Sequence, residues 1–251
     1  MDYREAAGHF KRLLKLETEP VGVSLVARRS QLKRRPLPLK LNICQLLSLA
    51  RHQGRMATGV GETMVCSLGA ACTGLVDTPE QFRDGTAAVG KYVDCEETGR
   101  SFFANTFKIG DGGRRFDGIM MAPLESCPFR PDLAVFYCNP AQGIRLIHSC
   151  VFDTGEKVAG DTVAEAAVCS SMGYALEHDR PVIGLPCAGD RRYGGTQNHE
   201  LVFVVPESTL STRMGPNVLK LAGQGPLYPV PPDVMREVRM PSAYTLEEED
   251  L

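Results

Sequence analysis

Val168-Cys169-Ser170-Ser171-Met172-Gly173-Tyr174-Ala175-Leu176 echoes Val65-Cys66-Ser67-Leu68-Gly69-Ala70-Ala71-Cys72-Thr73-Gly74-Leu75, and the echo governs how the rest of the chain is read. An internal repeat sets an architecture before any single element does. Outward from the two copies the chain runs in the same order: a strand, a helix ending in glycine, a small-residue segment with cysteine, a strand ending in proline. Residues 21–26 match 133–137, Gly54 matches Gly155, Cys66 matches Cys169, and residues 119–123 match 202–206. With the two glycines superposed, Cys44 falls opposite Arg145, so the repetition is imperfect at a position able to carry chemistry. The expected fold is α+β or α/β, a mixed sheet with helices and a pseudo-twofold internal repeat. It occupies one domain over 1–251, with halves at about 20–127 and 131–214 and a C-terminal wrap over 225–251.

The 251 residues are 43% hydrophobic and 23% charged, ordinary for a soluble globular chain that buries about three quarters of its unfolded surface. No apolar run approaches the roughly 20 residues of a membrane span. The net charge of -2 gives no basic field for nucleic acid, and the basic run from Arg28 to Arg35 reads as a solvated loop. Charge in Met1-Asp2-Tyr3-Arg4-Glu5, where a signal peptide needs an apolar core, points to a cytoplasmic protein. Oligomeric state is left open, a homo-oligomer included.

Helical spacing of Ala6, Phe10, Leu13 and Leu14 predicts an opening helix, and Ile43 to Arg51 predicts a buried one closed at Gln53-Gly54. Further helices are expected over 62–75, 79–92 and 140–152, from Asp161 as cap to about Glu177, and through Leu210, Met214, Val218 and Leu221. Strands are expected at 21–26, 118–122, 133–137, from 181 and at 200–206, with no assignment over 94–117.

Nine cysteines, an odd and scattered set, do not make a secreted disulfide framework. Thiolate is the soft ligand that selects zinc, copper(I) or an iron–sulfur cluster. Cys44, Cys66, Cys169 and Cys187 each lie at a helix start or beside a glycine-rich turn, where backbone N–H groups support a thiolate; Cys95 is a fifth candidate. No CxxC pair is present, so such a site must be assembled from distant segments. The other reading of these four is plain core packing. Cys72, Cys138 and Cys150 read as core, and Cys127, between Ser126 and Pro128, as an exposed spectator. The stretch Pro186-Cys187-Ala188-Gly189-Asp190-Arg191-Arg192-Tyr193-Gly194-Gly195 reads as a glycine-rich loop at a strand end, with Arg191 and Arg192 able to grip an anion. It is not a phosphate loop, because no Gly-Lys-Ser/Thr follows.

Pro20-Val21-Gly22-Val23, Cys44-Gln45-Leu46 with Ala50-Arg51-His52-Gln53-Gly54, Asn139-Pro140-Ala141-Gln142-Gly143-Ile144-Arg145-Leu146, and Cys187-Ala188-Gly189-Asp190-Arg191 with Glu200-Leu201 and Pro206 together resemble the prokaryotic family catalogued as domain of unknown function 169. The resemblance spans roughly residues 10–221. It implies that Cys44, Cys66, Cys169 and Cys187 belong to a shared pattern, which favours a site over packing; the other five cysteines are not matched. The leading expectation is a cytoplasmic, cysteine-rich, metal-binding redox protein. It holds an iron–sulfur cluster, such as 4Fe-4S, between the halves and acts on a small anionic ligand at Arg145, Arg191 or Arg192. Two alternatives stand beside it: a non-catalytic small-molecule binding or sensing module with structural cysteines, and a thiol enzyme using Cys187.

Overall fold

The computed structural model describes residues 1–160 and 162–222. The expected wrap over 225–251 and the expected cap Asp161 lie outside the described residues. In chain order the elements are α1 (Tyr3–Leu14), β1 (Val21–Val26), α2 (Ile43–Gln53), β2 (Ala57–Gly59), α3 (Ser67–Cys72), α4 (Glu80–Arg83), α5 (Glu96–Ala104), β3 (Gly118–Pro123), β4 (Leu133–Cys138), α6 (Pro140–Val151), β5 (Ala159–Gly160), α7 (Ala167–His178), β6 (Val182–Gly184), α8 (Ala188–Gly194), β7 (Leu201–Pro206), α9 (Glu207–Thr209) and α10 (Gly215–Ala222). The seven strands form one mixed sheet in the order β2-β3-β1-β4-β7-β6-β5, antiparallel except for β5 beside β6.

Every residue of β1, β3 and β4 is buried, which explains why these strands read as continuous apolar runs rather than alternating ones. Leu133, Val135 and Tyr137 of β4 face one helical layer, with α2, α3 and α7. Ala134, Phe136 and Cys138 face the other, with α1, α6 and α10. The sheet is therefore the middle of three layers, an α+β fold.

From the centre the strands run β1-β3-β2 one way and β4-β7-β6 the other, with Val21 opposite Pro123 in one arm and Leu133 opposite Pro206 in the other. A duplication would leave this order, but the helices break it. Antiparallel neighbours such as β1 and β4 are related by an axis normal to the sheet, which keeps equivalent helices on one face. Yet α2 packs on one face and α6 on the other. The cause is connection length. Asn139 caps α6 directly after β4, accepting from the Gln142 N–H while Gln142 accepts from the Asn139 N–H. The chain from β1 to α2 instead takes residues 27–42 to cross to the other face. The alignment of Gly54 with Gly155 thus has no symmetric counterpart in space.

Three other expectations are corrected. The helix expected over 79–92 is only α4 and a short turn, because Gly85 adopts a left-handed backbone (φ 88) and a Cβ on Gly99 would stand 2.2 Å from the Gly85 carbonyl oxygen. The glycine-rich loop after β6 is a helix, α8. And Cys127 is buried, its sulfur against Gly22 and its carbonyl accepting from the Arg4 guanidinium at 2.7 Å.

Burial pushes the thiols of Cys127, Cys138 and Cys150 up to about 11, about 12 and about 12 from an ordinary value of 9.0. The folded state thus keeps these protons where the unfolded chain releases them. The associated stability is complete below pH 9.0 and is lost as pH rises toward 11 to 12. Denaturant titrations in reducing buffer are expected to show the midpoint falling through that window; a flat profile would contradict the burial of these thiols.

Candidate metal centre

Four thiols meet at the end of the α2/α3/α7 layer. Cys44 stands in the first turn of α2, and Asn42 caps that helix by accepting from the Gln45 N–H at 2.8 Å. Cys66 is the residue before α3, its sulfur accepting from the Gly69 N–H at 3.3 Å. Cys169 lies in the first turn of α7, and Cys187 immediately precedes α8. All four line one cavity of about 410 Å³, with Ile43, Val65, Leu68 and Ala166 as apolar wall and Lys40, Glu165 and Tyr193 as polar members. Cys44 and Cys169 are its buried floor, Cys187 is half-buried, and Cys66 is exposed at its rim.

Helices α3 and α7 can approach because Gly69 has no side chain. A Cβ there would lie 3.0 Å from the Cys169 sulfur and 3.5 Å from that of Cys66. The two cysteines of the echoed sequence are thus neighbours. Among the described residues, no group of three or more His, Cys, Asp or Glu side chains is drawn together closely enough to clamp a single metal ion.

Beneath the floor lies a buried polar network. The Cys44 thiol hydrogen-bonds Asp190, whose carboxylate also accepts from the Tyr137 hydroxyl at 3.1 Å. Arg51 lies 3.7 Å from the centre of the Tyr137 ring and donates to Glu200 at 2.6 Å and to Thr196 at 3.4 Å. At the wall, Tyr92 hydrogen-bonds Glu165, and burial raises that carboxyl above its ordinary value.

Three of the thiols are pushed toward the protonated form. Cys169 is pushed well up, first by its hydrogen bond with Cys44 and then by burial. Burial raises Cys66 and Cys187; the Gly69 N–H on one, and the Asp190 and Ala167 N–H groups on the other, pull back only in part. Negative charge on neighbouring cysteines adds to the rise at each of the three. This is opposite in direction to the activated thiolate that a Cys187 nucleophile needs. Four soft donors that repel one another as anions, with N–H groups aimed at the sulfurs of Cys66 and Cys187, are instead a set that a cationic group would neutralise.

None of the arginines expected to hold an anion is among the cavity's lining residues. Arg145 sits on the opposite face of the sheet and donates to the Leu221 carbonyl at 3.3 Å. Arg191 donates to the Gln197 carbonyl at 2.7 Å, closing the turn after α8. Arg192 is exposed, 5.5 Å from the Tyr193 ring at the cavity's edge. Cys95 is also exposed and is not among the cavity's lining residues. Sequence reading missed Lys40 and Glu165, which reach the cavity from loops, and Tyr92, which hydrogen-bonds Glu165; no local signal marks them.

Fold and site define the class: a three-layer α+β protein with a thiol-lined cavity at one end of its buried helical layer. The chain belongs to the family of domain of unknown function 169, described as Uncharacterised ArCR, which matches residues 9–213. It is 24% identical over 215 residues to a Methanocaldococcus jannaschii protein named Uncharacterized protein MJ0308, covering 83% of this chain and 91% of that one. No solved structure matches it. Among the described residues, no helix is long and apolar enough to cross a membrane.

Proposed function

We propose that the cavity holds an iron–sulfur cluster on Cys44, Cys66, Cys169 and Cys187, and that the protein serves electron transfer. The observation carrying this reading is the convergence of four cysteines, each at the start of a different helix, on a single cavity. One feature favours a cluster: N–H donors to the sulfurs of Cys66 and Cys187, with an apolar surround, are the means by which a protein sets a cluster's potential. Four thiolate ligands would leave no open iron, which favours electron transfer over Lewis-acid catalysis. Taking up the cluster displaces the thiol protons, so loading is expected to strengthen as pH rises.

Anaerobic purification and reconstitution with iron and sulfide, followed by iron and acid-labile sulfide assays and a visible spectrum, test the reading. A colourless, metal-free product overturns it. Gly69→Ala gives a finer test. The added methyl presses on the Cys169 sulfur while improving helix propensity by up to about 1 kcal/mol. Metal affinity is expected to fall about tenfold with thermal stability nearly unchanged, and parallel loss of both would assign the effect to folding instead.

A further inference from the structure

The mouth of the cavity carries an apolar and cationic surface that holding a cluster does not require. Val65 (62% exposed) and Tyr193 (50%) are cavity-lining residues whose side chains reach solvent. Leu39 (61%) belongs to the segment that runs beside Val65, because the Val65 N–H donates to the Leu41 carbonyl at 3.0 Å. Leu185 (59%) enters the turn that delivers Cys187. Val65 and Tyr193 are thus exposed at the mouth where Cys66 reaches solvent, and Leu39 and Leu185 are exposed in the segments that lead to it.

Three cations accompany them. Lys40 lines the cavity, Lys91 lies close enough to Glu165 to lower its carboxyl against the larger effect of burial, and Arg192 lies over the edge of Tyr193. None of the three makes an ion pair of 4.0 Å or less among the described residues. Glu165 is the acidic side chain among the cavity's lining residues. In a chain of net charge -2 this is a local reversal of sign.

We infer that this mouth is the docking surface for a small acidic electron-carrier protein, an inference that rests on the cluster reading. A small anion inside the cavity would leave Leu39 and Leu185 in water, whereas a protein face covers an apolar centre and pairs with a charged rim. An electron-transfer contact is small, under about 1,200 Å², so it is weak and is steered by charge. Cys66 is exposed at this surface and Cys44 and Cys169 are buried beneath it, so a cluster held by these residues would present its Cys66 side to the contact. The exchange is a single electron passing between the carrier's reduced centre and the cluster, with no bond made or broken.

The test uses an acidic ferredoxin as carrier and a basic cytochrome c as counter-probe on the cluster-loaded full chain. Binding is measured by calorimetry and electron exchange by stopped flow. The ferredoxin is expected to bind, to exchange electrons about tenfold or more faster at low than at high salt, and to outpace the cytochrome. Lys40→Glu and Arg192→Glu are each expected to slow the exchange severalfold, and Leu185→Ser to weaken binding, with iron content unchanged in Arg192→Glu and Leu185→Ser. Equal, salt-insensitive rates with both carriers would overturn the inference. So would sedimentation showing a dimer that Leu185→Ser disperses, since a second copy would then occupy the mouth. The iron assay after reconstitution separates the two readings: wild type that takes up no iron yet binds ferredoxin sinks the cluster alone, and cluster-bearing protein that binds none sinks the docking surface alone.

Discussion

Cys169→Ser is expected to give a folded protein that retains less than about a tenth of the wild-type iron and has lost its visible absorption. Serine is nearly the same shape, and its hydroxyl can keep the hydrogen bond with Cys44, so α7 should still dock on the sheet. What changes is the donor. A hydroxyl is a hard, weakly acidic ligand where a soft thiolate is required. Cys150→Ser is the control, because Cys150 is buried on the opposite face among residues of α1, α6 and α10. That substitution is expected to cost about 1–3 kcal/mol for a poorly paired buried hydroxyl and to leave the iron in place. Wild-type iron content in Cys169→Ser would remove the site as drawn.

The second large effect is on stability. Arg51→Ala is expected to lower the free energy of unfolding by about 3–5 kcal/mol, a fall of roughly 10 °C in Tm for a chain of this size. Arg51 and Glu200 pair at 2.6 Å with both side chains almost wholly enclosed, so truncation leaves a buried carboxylate without its partner. Arg51 also covers the Tyr137 ring and holds Thr196, and Tyr137 in turn holds Asp190 of α8. Loosening that network frees the helix that begins at Cys187 and the carboxylate that fixes Cys44. Iron retention is therefore expected to fall along with Tm. Replacing the pair together, Arg51→Met with Glu200→Leu, is expected to recover much of the stability because no charge is left stranded. If the single and double variants melt alike, the pair does not carry the network.

Much of the layer structure was legible because its signals are local. The apolar run 133–137 could only be a strand buried on both faces, and Asn139-Pro140 followed by Gln142 could only open a helix. The loops were harder. Cys127 read as exposed because proline follows it, yet Gly22 leaves the space its sulfur occupies and Arg4 reaches its carbonyl. The run from Pro186 to Gly195 read as a loop from its glycines. In the fold it is α8, because Gly194 lets it lie against α2, where a Cβ would stand 3.1 Å from that of Cys44. Residues 79–92 read as one helix, and Gly85 ends it through a backbone angle that composition does not display.

By itself the sequence determined which residues are soft ligands, five of the seven strands, and that Cys66 and Cys169 open similar segments, since these depend on side-chain chemistry and short-range periodicity. Only the tertiary structure decided that those segments touch, that Cys44 and Cys187 complete the same cavity, and that Arg145 lies on the far side of the sheet. The physical reason is the choice of face. A direct turn after β4 sends α6 one way, a long connection after β1 sends α2 the other, and that difference in path assembles the thiols while carrying the arginine away.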